Sequence, residues 1–334
     1  MKRVLWLATG GTIAASQSEN GLVPTMHSSE LVKYISDFYG DWDIDYEDIF
    51  NMDSSNIQPE EWQKIARRIY ENIDDYDGFL ITHGTDTMAY TASAISFMLQ
   101  PLKKSVVLTG SQQPINKPLT DARTNLYTAL SAIENGIEGV SIAFNRKIMR
   151  GCRAVKVRTM GFDAFESINE AYRAEIYADG IHISPNDKNA VKSISDKTKL
   201  MDGLCTDVFL MKLLPGTKPE IFEMLMDMKY RGVILETFGA GGLHYINRNL
   251  LKEIDTMIEK GIAIVVLSQC LYENADLSIY EVGKKLLEKG VIPGYDMTTE
   301  AAATKLMWAL SQTSDVGKIK KMFETNYVGE VSLG

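Results

Sequence analysis

Two short polar motifs carry side chains that are suited to chemistry. The first, Thr9–Thr12, follows the apolar run Val4–Ala8 and has glycine at both central positions. Two glycines allow the backbone to turn sharply and to approach a ligand closely, and free N–H groups there can face a carboxylate or an oxyanion. Taken alone, this motif favours a simpler interpretation, a tight turn whose threonine hydroxyls cap backbone groups.

The second motif, His83–Thr87, follows the apolar run Gly78–Thr82 and precedes an apolar helical pattern. Helix capping explains one aspartate or threonine at such a place. It does not explain four polar side chains together, so we interpret this motif as functional. Thr85 and Asp86 offer a hydroxyl and a carboxylate where a ligand can bind.

Two further segments offer polar groups. Asp53, Ser54 and Ser55 place two hydroxyls beside a carboxylate, which suits a polar cradle for a ligand and equally suits a turn. Lys156 lies in a strand-like stretch, where a lysine is normally a solvated surface residue. A lysine that is buried instead loses its proton more easily and can act as a base.

Several kinds of site are excluded by missing patterns. The sequence has no His-x-x-x-His, no Cys-x-x-Cys, no Gly-x-Ser-x-Gly elbow, and no dinucleotide or phosphate-loop signature at the first glycine turn. We therefore expect no metal and no cofactor, and a nucleotide-binding protein is disfavoured. The net charge of −9 differs from the excess of basic residues that is typical of a nucleic-acid binder. It also disfavours adhesion to anionic membranes.

Cysteine usage and hydropathy predict the compartment. The three cysteines are widely spaced, which indicates neither a disulfide framework nor a zinc site and fits a reducing cytosol. No apolar run approaches the ~18 residues that a membrane span needs, and the first apolar run is too short for a signal peptide. We expect a cytoplasmic protein.

The elements that must position these motifs alternate between strands and helices. Apolar runs typical of buried strands are Val4–Ala8, Gly78–Thr82, Ser105–Gly110 and Val140–Phe144, with helical patterns between them. This alternation predicts an α/β fold with a mostly parallel sheet covered on both faces. Sites in such sheets form at the carboxyl ends of strands, where both motifs lie. The polar stretch Ser16–Gly21 has no apolar pattern and is predicted to be a loop that can act as a lid.

A change in composition predicts two domains. From Pro185 the chain becomes rich in Asn, Asp, Lys and Ser, and the strand-helix pattern restarts at Val208. We predict an N-terminal catalytic domain over residues 1–185, a linker over 186–203, and a smaller C-terminal α/β domain over 204–334.

The pairing of Thr9–Ala14 with His83–Tyr90 resembles the bacterial-type L-asparaginases, specifically their cytoplasmic (type I) branch. The resemblance covers nearly the whole chain and extends through Met52–Ser55, Thr109–Pro114, Gly161–Ser167, Thr299–Ala301 and Lys305–Leu306. It implies a larger N-terminal domain with a flavodoxin-like sheet. It also implies a homodimer or homotetramer with sites beside a subunit interface.

The resemblance assigns roles to the candidate residues. It implies that Thr12 is the nucleophile, that Thr85, Asp86 and Lys156 are catalytic, and that Thr85 and Asp86 also bind substrate. The segment Asp53–Ser55 matches the substrate cradle, which contains Asp53, Ser54 and Ser55. The chain departs from many relatives at Leu22, where they carry a tyrosine on a flexible lid.

The implied activity is hydrolysis of the side-chain amide of L-asparagine to L-aspartate and ammonia through a threonyl acyl-enzyme. Asp86 suits the α-ammonium of the substrate, and Ser54 with nearby backbone N–H groups suits its α-carboxylate. Burial is expected to keep Lys156 partly neutral, so that it can support Thr85 as the base. Two alternatives are an amide-hydrolysing subunit of a tRNA-dependent amidotransferase and a non-catalytic amino-acid sensor.

Overall fold

The computed structural model describes residues 2–18, 21–38, 42–185, 187 and 197–333. The chain divides into two compact units, Met1–Asp202 and Gly203–Gly334. Each unit has its own buried core and its own sheet, which is mostly parallel in the first unit and fully parallel in the second.

The first unit is built on an eight-stranded sheet. Its strands are β1 (Lys2–Gly10), β4 (Trp42–Met52), β5 (Gly78–Thr82), β7 (Ser105–Thr109), β8 (Gly139–Phe144), β9 (Lys147–Arg150), β12 (Ala174–Tyr177) and β13 (Gly180–Ile183). Their order across the sheet is β13-β12-β9-β8-β7-β5-β1-β4. Shorter pairs are β2 (Ala15–Ser18) with β3 (Gly21–Pro24), β6 (Leu99–Gln100) with β14 (Lys199–Leu200), and β10 (Ala154–Lys156) with β11 (Phe165–Ser167). Its helices are α1 (Ser28–Leu31), α2 (Pro59–Glu71), α3 (Met88–Met98) and α4 (Ala122–Glu134).

Five neighbouring strands of this sheet are parallel and have the flavodoxin-like order. Along the sheet they run β4, β1, β5, β7, β8, which is the order 2-1-3-4-5 when they are numbered along the chain. Strands β5 and β7 are buried at every position, as expected for central strands that helices cover on both faces. The predicted α/β fold, with its larger N-terminal flavodoxin-like domain, is confirmed.

The prediction of a loop at Ser16–Gly21 is wrong for the described residues. Strands β2 and β3 pair antiparallel there, with Ala15 opposite Pro24 and Ser18 opposite Gly21. Apolar patterning gave no sign of this hairpin, because its strands do not alternate. The available signal is the dipeptide Asn20-Gly21, a sequence typical of hairpin turns. Residues 19 and 20 themselves lie outside the described residues.

Much of the predicted linker, residues 186 and 188–196, lies outside the described residues. At its end, Lys199 and Leu200 form β14, which pairs with β6 of the first unit. The boundaries of the linker stay a prediction.

The second unit has a four-stranded parallel sheet. Its strands are β15 (Val208–Lys212), β16 (Gly232–Thr237), β17 (Ala263–Ser268) and β18 (Ile292–Pro293), and they lie side by side in this order. Its helices are α5 (Glu220–Asp227), α6 (Leu250–Glu259), α7 (Glu281–Lys289), α8 (Thr299–Gln312) and α9 (Val316–Phe323). The smaller C-terminal α/β domain is thereby confirmed as a fold class.

An ion pair is buried completely in this second unit. Lys305 on α8 contacts Glu330 with its Nζ at 2.5 Å, and neither side chain is exposed. Nζ also donates to the carbonyl oxygen of Thr325 at 2.9 Å, and the Glu330 carboxylate accepts the N–H groups of Tyr327 and Val328. These hydrogen bonds fasten the C-terminal segment to α8.

Among the described residues, none of the helices combines the length and the apolarity that a bilayer crossing requires.

Candidate active site

The two polar motifs meet at the point where the strand order reverses. Strands β1 and β5 are adjacent and parallel, with Ala8 opposite Thr82. The polar motifs therefore leave the same edge of the sheet side by side. In a flavodoxin-like order the crevice between the first and third strands is the usual ligand site, so this edge is the candidate active site.

Glycines bring the loops of this edge into direct contact. Gly11 has φ +81°, and a Cβ added to it would lie 2.4 Å from the backbone nitrogen of Gly84. Gly10 has φ +98°, and its Cβ would lie 2.5 Å from the nitrogen of Met52. Only glycine fits both the left-handed backbone and the space. The first motif is thus a turn whose backbone contacts the second motif. Thr12 follows Gly11 and Thr85 follows Gly84, the two glycines that form this contact.

The Thr12 side chain is half-buried at the start of the 3₁₀ turn Thr12–Ala14. Within the described part of the chain, its hydroxyl has no hydrogen-bond partner. The N–H of Gly11, which the sequence suggested for an oxyanion, instead donates to the carbonyl oxygen of Met52 at 3.1 Å. The hydroxyl of Thr12 is therefore available, whereas the Gly11 N–H is not.

Lys156 is not a solvated surface lysine. Its side chain is 16% exposed, and Nζ lies 2.6 Å from Oδ1 of Asp86. The same Nζ donates a hydrogen bond to Oγ1 of Thr85 at 2.8 Å. The structure thus brings three of the predicted catalytic residues together. Lys156 is therefore an ion-pair partner of Asp86 rather than an isolated buried amine.

The segment Asp53–Ser55 forms hydrogen bonds with the second motif. Ser54 is buried, and its Oγ accepts the N–H of Asp86 at 3.3 Å while its carbonyl oxygen accepts the Thr87 hydroxyl at 2.8 Å. The carboxylate of Asp53 accepts the N–H of Ser55 at 2.8 Å. Of these three residues, Asp53 and Ser55 are exposed. The turn interpretation and the cradle interpretation are therefore compatible, because one short turn holds the Asp86 backbone.

His83 has a structural role. It is completely buried, with Nδ1 2.7 Å from the carbonyl oxygen of Gly84 and Nε2 2.9 Å from Oγ1 of Thr91. These partners fit a neutral ring that donates from Nδ1 and accepts at Nε2, a tautomer assigned from the hydrogen bonds. Burial lowers the pKa of His83 to about 4. The imidazole therefore holds the turn in its neutral form.

Gln112 is a residue that reasoning from side-chain chemistry did not single out. Its Oε1 lies 3.4 Å from Oγ1 of Thr85. Its only sequence signal is its place in the segment Thr109–Pro114, which contributes to the family resemblance. An amide side chain carries no charge and has many roles in turns, so composition and spacing could not reveal its contact with Thr85.

Comparison with known proteins identifies the family. The family model "Asparaginase, N-terminal" matches residues 3–189, and "Glutaminase/Asparaginase C-terminal domain" matches residues 207–323. An L-asparaginase of Thermococcus kodakarensis is 42% identical over 99% of this chain and 99% of its own length. L-asparaginase 1 of Escherichia coli K12 is 37% identical over 99% of this chain and 98% of its own length.

Two further comparisons bear on fold and activity. The solved structure of the thermostable L-asparaginase from T. kodakarensis superposes with a TM-score of 0.92, at 40% identity, over 99% of this chain and all of that chain. A glutamyl-tRNA(Gln) amidotransferase subunit from Pyrococcus abyssi is 34% identical over 99% of this chain and 77% of its own length. By its domains, sequence and fold, this chain belongs to the bacterial-type asparaginase family of amidohydrolases, in the branch of L-asparaginase 1.

Proposed function

We propose that the protein hydrolyses the side-chain amide of L-asparagine to L-aspartate and ammonia, through an ester formed on Thr12. The observation that carries the proposal is the position of Lys156, whose Nζ contacts both Thr85 and Asp86. This cluster lies beside the contact between Gly11 and Gly84. The proposal is supported by the Thr12 hydroxyl, the Thr85–Lys156 contact and the Asp86 carboxylate at this edge of the sheet.

The first chemical step is attack of the Thr12 hydroxyl on the amide carbon. A free hydroxyl is a weak nucleophile, so a neighbouring group must accept its proton. We assign this role to Thr85, whose Oγ1 takes the Thr12 proton as its own hydroxyl proton passes to Nζ of Lys156 in its amine form. The N–H groups of Thr12 and Thr85 are the proposed oxyanion donors, because the Gly11 N–H is engaged by Met52. The proton then passes back through this pair to the amide nitrogen, the C–N bond breaks, and ammonia leaves the β-aspartyl ester on Thr12. Water attacks the ester carbon, one of its protons returns to the Thr12 oxygen, and L-aspartate is released.

The other end of the substrate is held by charge. Asp86 is 59% exposed and can accept the α-ammonium of the substrate. This ammonium and Lys156 then contact the same carboxylate. The hydroxyl of Ser54, which accepts from the Asp86 N–H, keeps its own proton to donate to the α-carboxylate, with Asp53 and Ser55 at the rim.

Glutamine differs from asparagine by one methylene group. Packing in a pocket discriminates a methylene by ~1–3 kcal/mol. We therefore expect a residual glutaminase activity.

The similarity to the amidotransferase of P. abyssi supports a second candidate, amide hydrolysis within a tRNA-dependent amidotransferase. The isolated protein distinguishes the two. Ammonia release from free asparagine and glutamine is measured over a concentration series, with the Thr12→Ala variant as the control. Turnover of free asparagine that Thr12→Ala abolishes supports the proposal. Binding of asparagine without turnover would indicate a sensor or a protein that needs an amidotransferase partner.

Compartment and assembly are also proposals. We propose a cytoplasmic enzyme, supported by three cysteines without disulfides and by likeness to the probable cytoplasmic L-asparaginase from Campylobacter jejuni, with a TM-score of 0.82 at 28% identity over 98% of this chain and all of that chain. We propose a homodimer or homotetramer, which light scattering coupled to size-exclusion chromatography tests.

A further inference from the structure

The side-chain amide of Gln112 has only one orientation available to it. Its Nε2 donates to the carbonyl oxygen of Thr159 at 3.2 Å and to that of Gly161 at 3.1 Å. A flipped amide would place Oε1 against two oxygens that can only accept. These carbonyl groups therefore fix Oε1 on the other side, where it lies 3.4 Å from Oγ1 of Thr85.

The backbone of Gln112 is fixed as well. Its N–H donates to both carboxylate oxygens of Asp121, at 3.1 and 2.9 Å. Asp121 also accepts the N–H of Gln113 at 3.1 Å and Nδ2 of Asn125 at 3.0 Å. Nδ2 of Asn125 also donates to the carbonyl oxygen of Gly110. Residues at the N-terminus of α4 therefore hold the turn after β7 in place. Both the backbone and the side-chain amide of Gln112 are thus fixed by hydrogen bonds.

Among the described residues, Oγ1 of Thr85 has two hydrogen-bond partners, Lys156 and Gln112. Lys156 donates to Oγ1 at 2.8 Å but is shared with Asp86, the carboxylate to which the substrate ammonium is proposed to bind. The side-chain amide of Gln112 accepts a hydrogen bond from the Thr85 hydroxyl and is itself held by the backbone carbonyl groups of Thr159 and Gly161. When a substrate disturbs the ion pair, Gln112 is the partner that does not change.

We infer that Gln112 is a positioning residue, whose fixed Oε1 holds the Thr85 hydroxyl in the rotamer in which Oγ1 meets Lys156. A threonine can otherwise exchange its hydroxyl and its methyl group by rotation about χ1. The role rests on the proposed function, since it matters only if Thr85 handles a proton during turnover. Gln112 itself need not touch the substrate.

The first test replaces Gln112 with an apolar side chain of similar length. Gln112→Met removes the acceptor, and we expect kcat for asparagine to fall about tenfold, the effect of one lost hydrogen bond, with KM changed less than about twofold because the substrate-binding groups remain. The matched control is Gln113→Met, since within the described residues the Gln113 side chain makes no hydrogen bond. Circular dichroism and thermal unfolding check that both variants fold.

The second test measures kcat of the Gln112→Glu variant, relative to that of the wild type, as a function of pH. In Gln112→Glu, the protonated carboxyl has one O–H donor for the Thr159 and Gly161 carbonyls and one acceptor for Thr85, as the amide does. The ionised carboxylate has no donor. Charged groups near this position are Lys156, which also contacts Thr85, and its partner Asp86. Asp121 binds the N–H of residue 112, and Asp163 and Arg158 lie beside Gly161. All of them are present in the variant and in the wild type. We therefore expect the ratio of its kcat to that of the wild type to rise as the pH is lowered from about 8 to about 5.

The outcomes separate this inference from the proposed function. A wild-type protein that releases no ammonia from asparagine contradicts the proposed function and the inference with it. If the wild type is active, three results would each overturn the inference alone. The first is a kcat of Gln112→Met within twofold of the wild type, and the second is an equal loss of kcat in Gln112→Met and Gln113→Met. The third is a ratio of Gln112→Glu kcat to wild-type kcat that does not change with pH. Selective loss in Gln112→Met and recovery of Gln112→Glu at low pH support it.

Discussion

Nζ of Lys156 lies 2.8 Å from Oγ1 of Thr85, although 71 residues separate them in the sequence. The lysine comes from the short strand β10 and the threonine from the turn after β5. Neither residue is close to the other in any local pattern, so the contact is made by the tertiary fold. It joins a hydroxyl to an amine that also pairs with a carboxylate, and the two heavy atoms lie within the distance that direct proton transfer needs.

Replacement of Lys156 tests whether this contact serves catalysis. In Lys156→Met the apolar stem remains and the amine is lost. We expect kcat for asparagine to fall ~10²–10⁴-fold, the range for a general base, and KM to change much less. Steady-state kinetics of Lys117→Met, which alters an exposed lysine of the same unit, provides the control. A folded Lys156→Met protein with kcat within threefold of the wild type would remove Lys156 from the mechanism.

Replacement of Asp86 should act mainly on binding. Asp86→Ala removes the proposed partner of the substrate ammonium, and a hydrogen bond to a charged group contributes about 1.5–3 kcal/mol. We expect the dissociation constant for aspartate or asparagine to rise at least tenfold, as measured by calorimetric titration of a variant that also carries Thr12→Ala. Unchanged affinity would mean that the ammonium is bound elsewhere.

The contact between Gly11 and Gly84 is expected to be intolerant of any side chain. In Gly11→Ala the new Cβ would lie 2.4 Å from the Gly84 nitrogen at a φ of +81°, so backbone must shift and both threonines move. We expect loss of more than ~2 kcal/mol in the free energy of unfolding and loss of activity. Gly136→Ala is the control, because φ is +65° there but nothing lies within 4 Å of the added Cβ. Similar losses of unfolding free energy in the two variants would show that the positive φ angle, and not the contact with Gly84, excludes a side chain at Gly11.

The buried pair of Lys305 and Glu330 is expected to be sensitive to the loss of one partner. Lys305→Met leaves the Glu330 carboxylate buried without its cation, which costs ~3–5 kcal/mol in comparable cases. Denaturant unfolding of Lys305→Met, Glu330→Gln and the double variant measures the coupling between the two side chains. Additive effects in this cycle would contradict a direct interaction.

Protonation of His83 should destabilise the fold in acid. Its pKa is about 4 in the folded chain against 6.5 for an unburied histidine, so the unfolded chain binds the proton first. The contribution of the neutral ring is therefore complete above pH 6.5 and is lost as the pH falls to about 4, by ~3 kcal/mol in total.

Two carboxyl groups act in the opposite sense. Burial raises the pKa of Glu300 to about 7 and that of Asp121 above its usual value, so their protonation favours the fold in acid. The useful measurement is the difference in unfolding free energy between the wild type and His83→Gln across pH. As the pH falls from 6.5 to 4, the unfolding free energy of the wild type should decrease relative to that of His83→Gln. A difference that does not vary with pH would contradict a neutral buried His83.

Sequence patterns predicted the sheet well because buried parallel strands are marked by continuous apolar runs such as Gly78–Thr82. They also placed Thr12 and Thr85 at one edge, since β1 and β5 are parallel. They could not identify Gln112 or the pairing of Lys156 with Asp86, because both contacts join residues far apart in the chain. His83 was grouped with the functional residues, and only its complete burial shows that it serves the turn.

We propose that Thr12 becomes acylated during asparagine hydrolysis. The most direct test is mass spectrometry of the protein after rapid mixing with asparagine and quenching in acid. We expect an added mass of one aspartyl group on the peptide that contains Thr12, formed and lost at rates that match turnover, and absent from Thr12→Ala. Ammonia release at near wild-type rate by Thr12→Ala, with no adduct on the wild-type peptide, would contradict the claim.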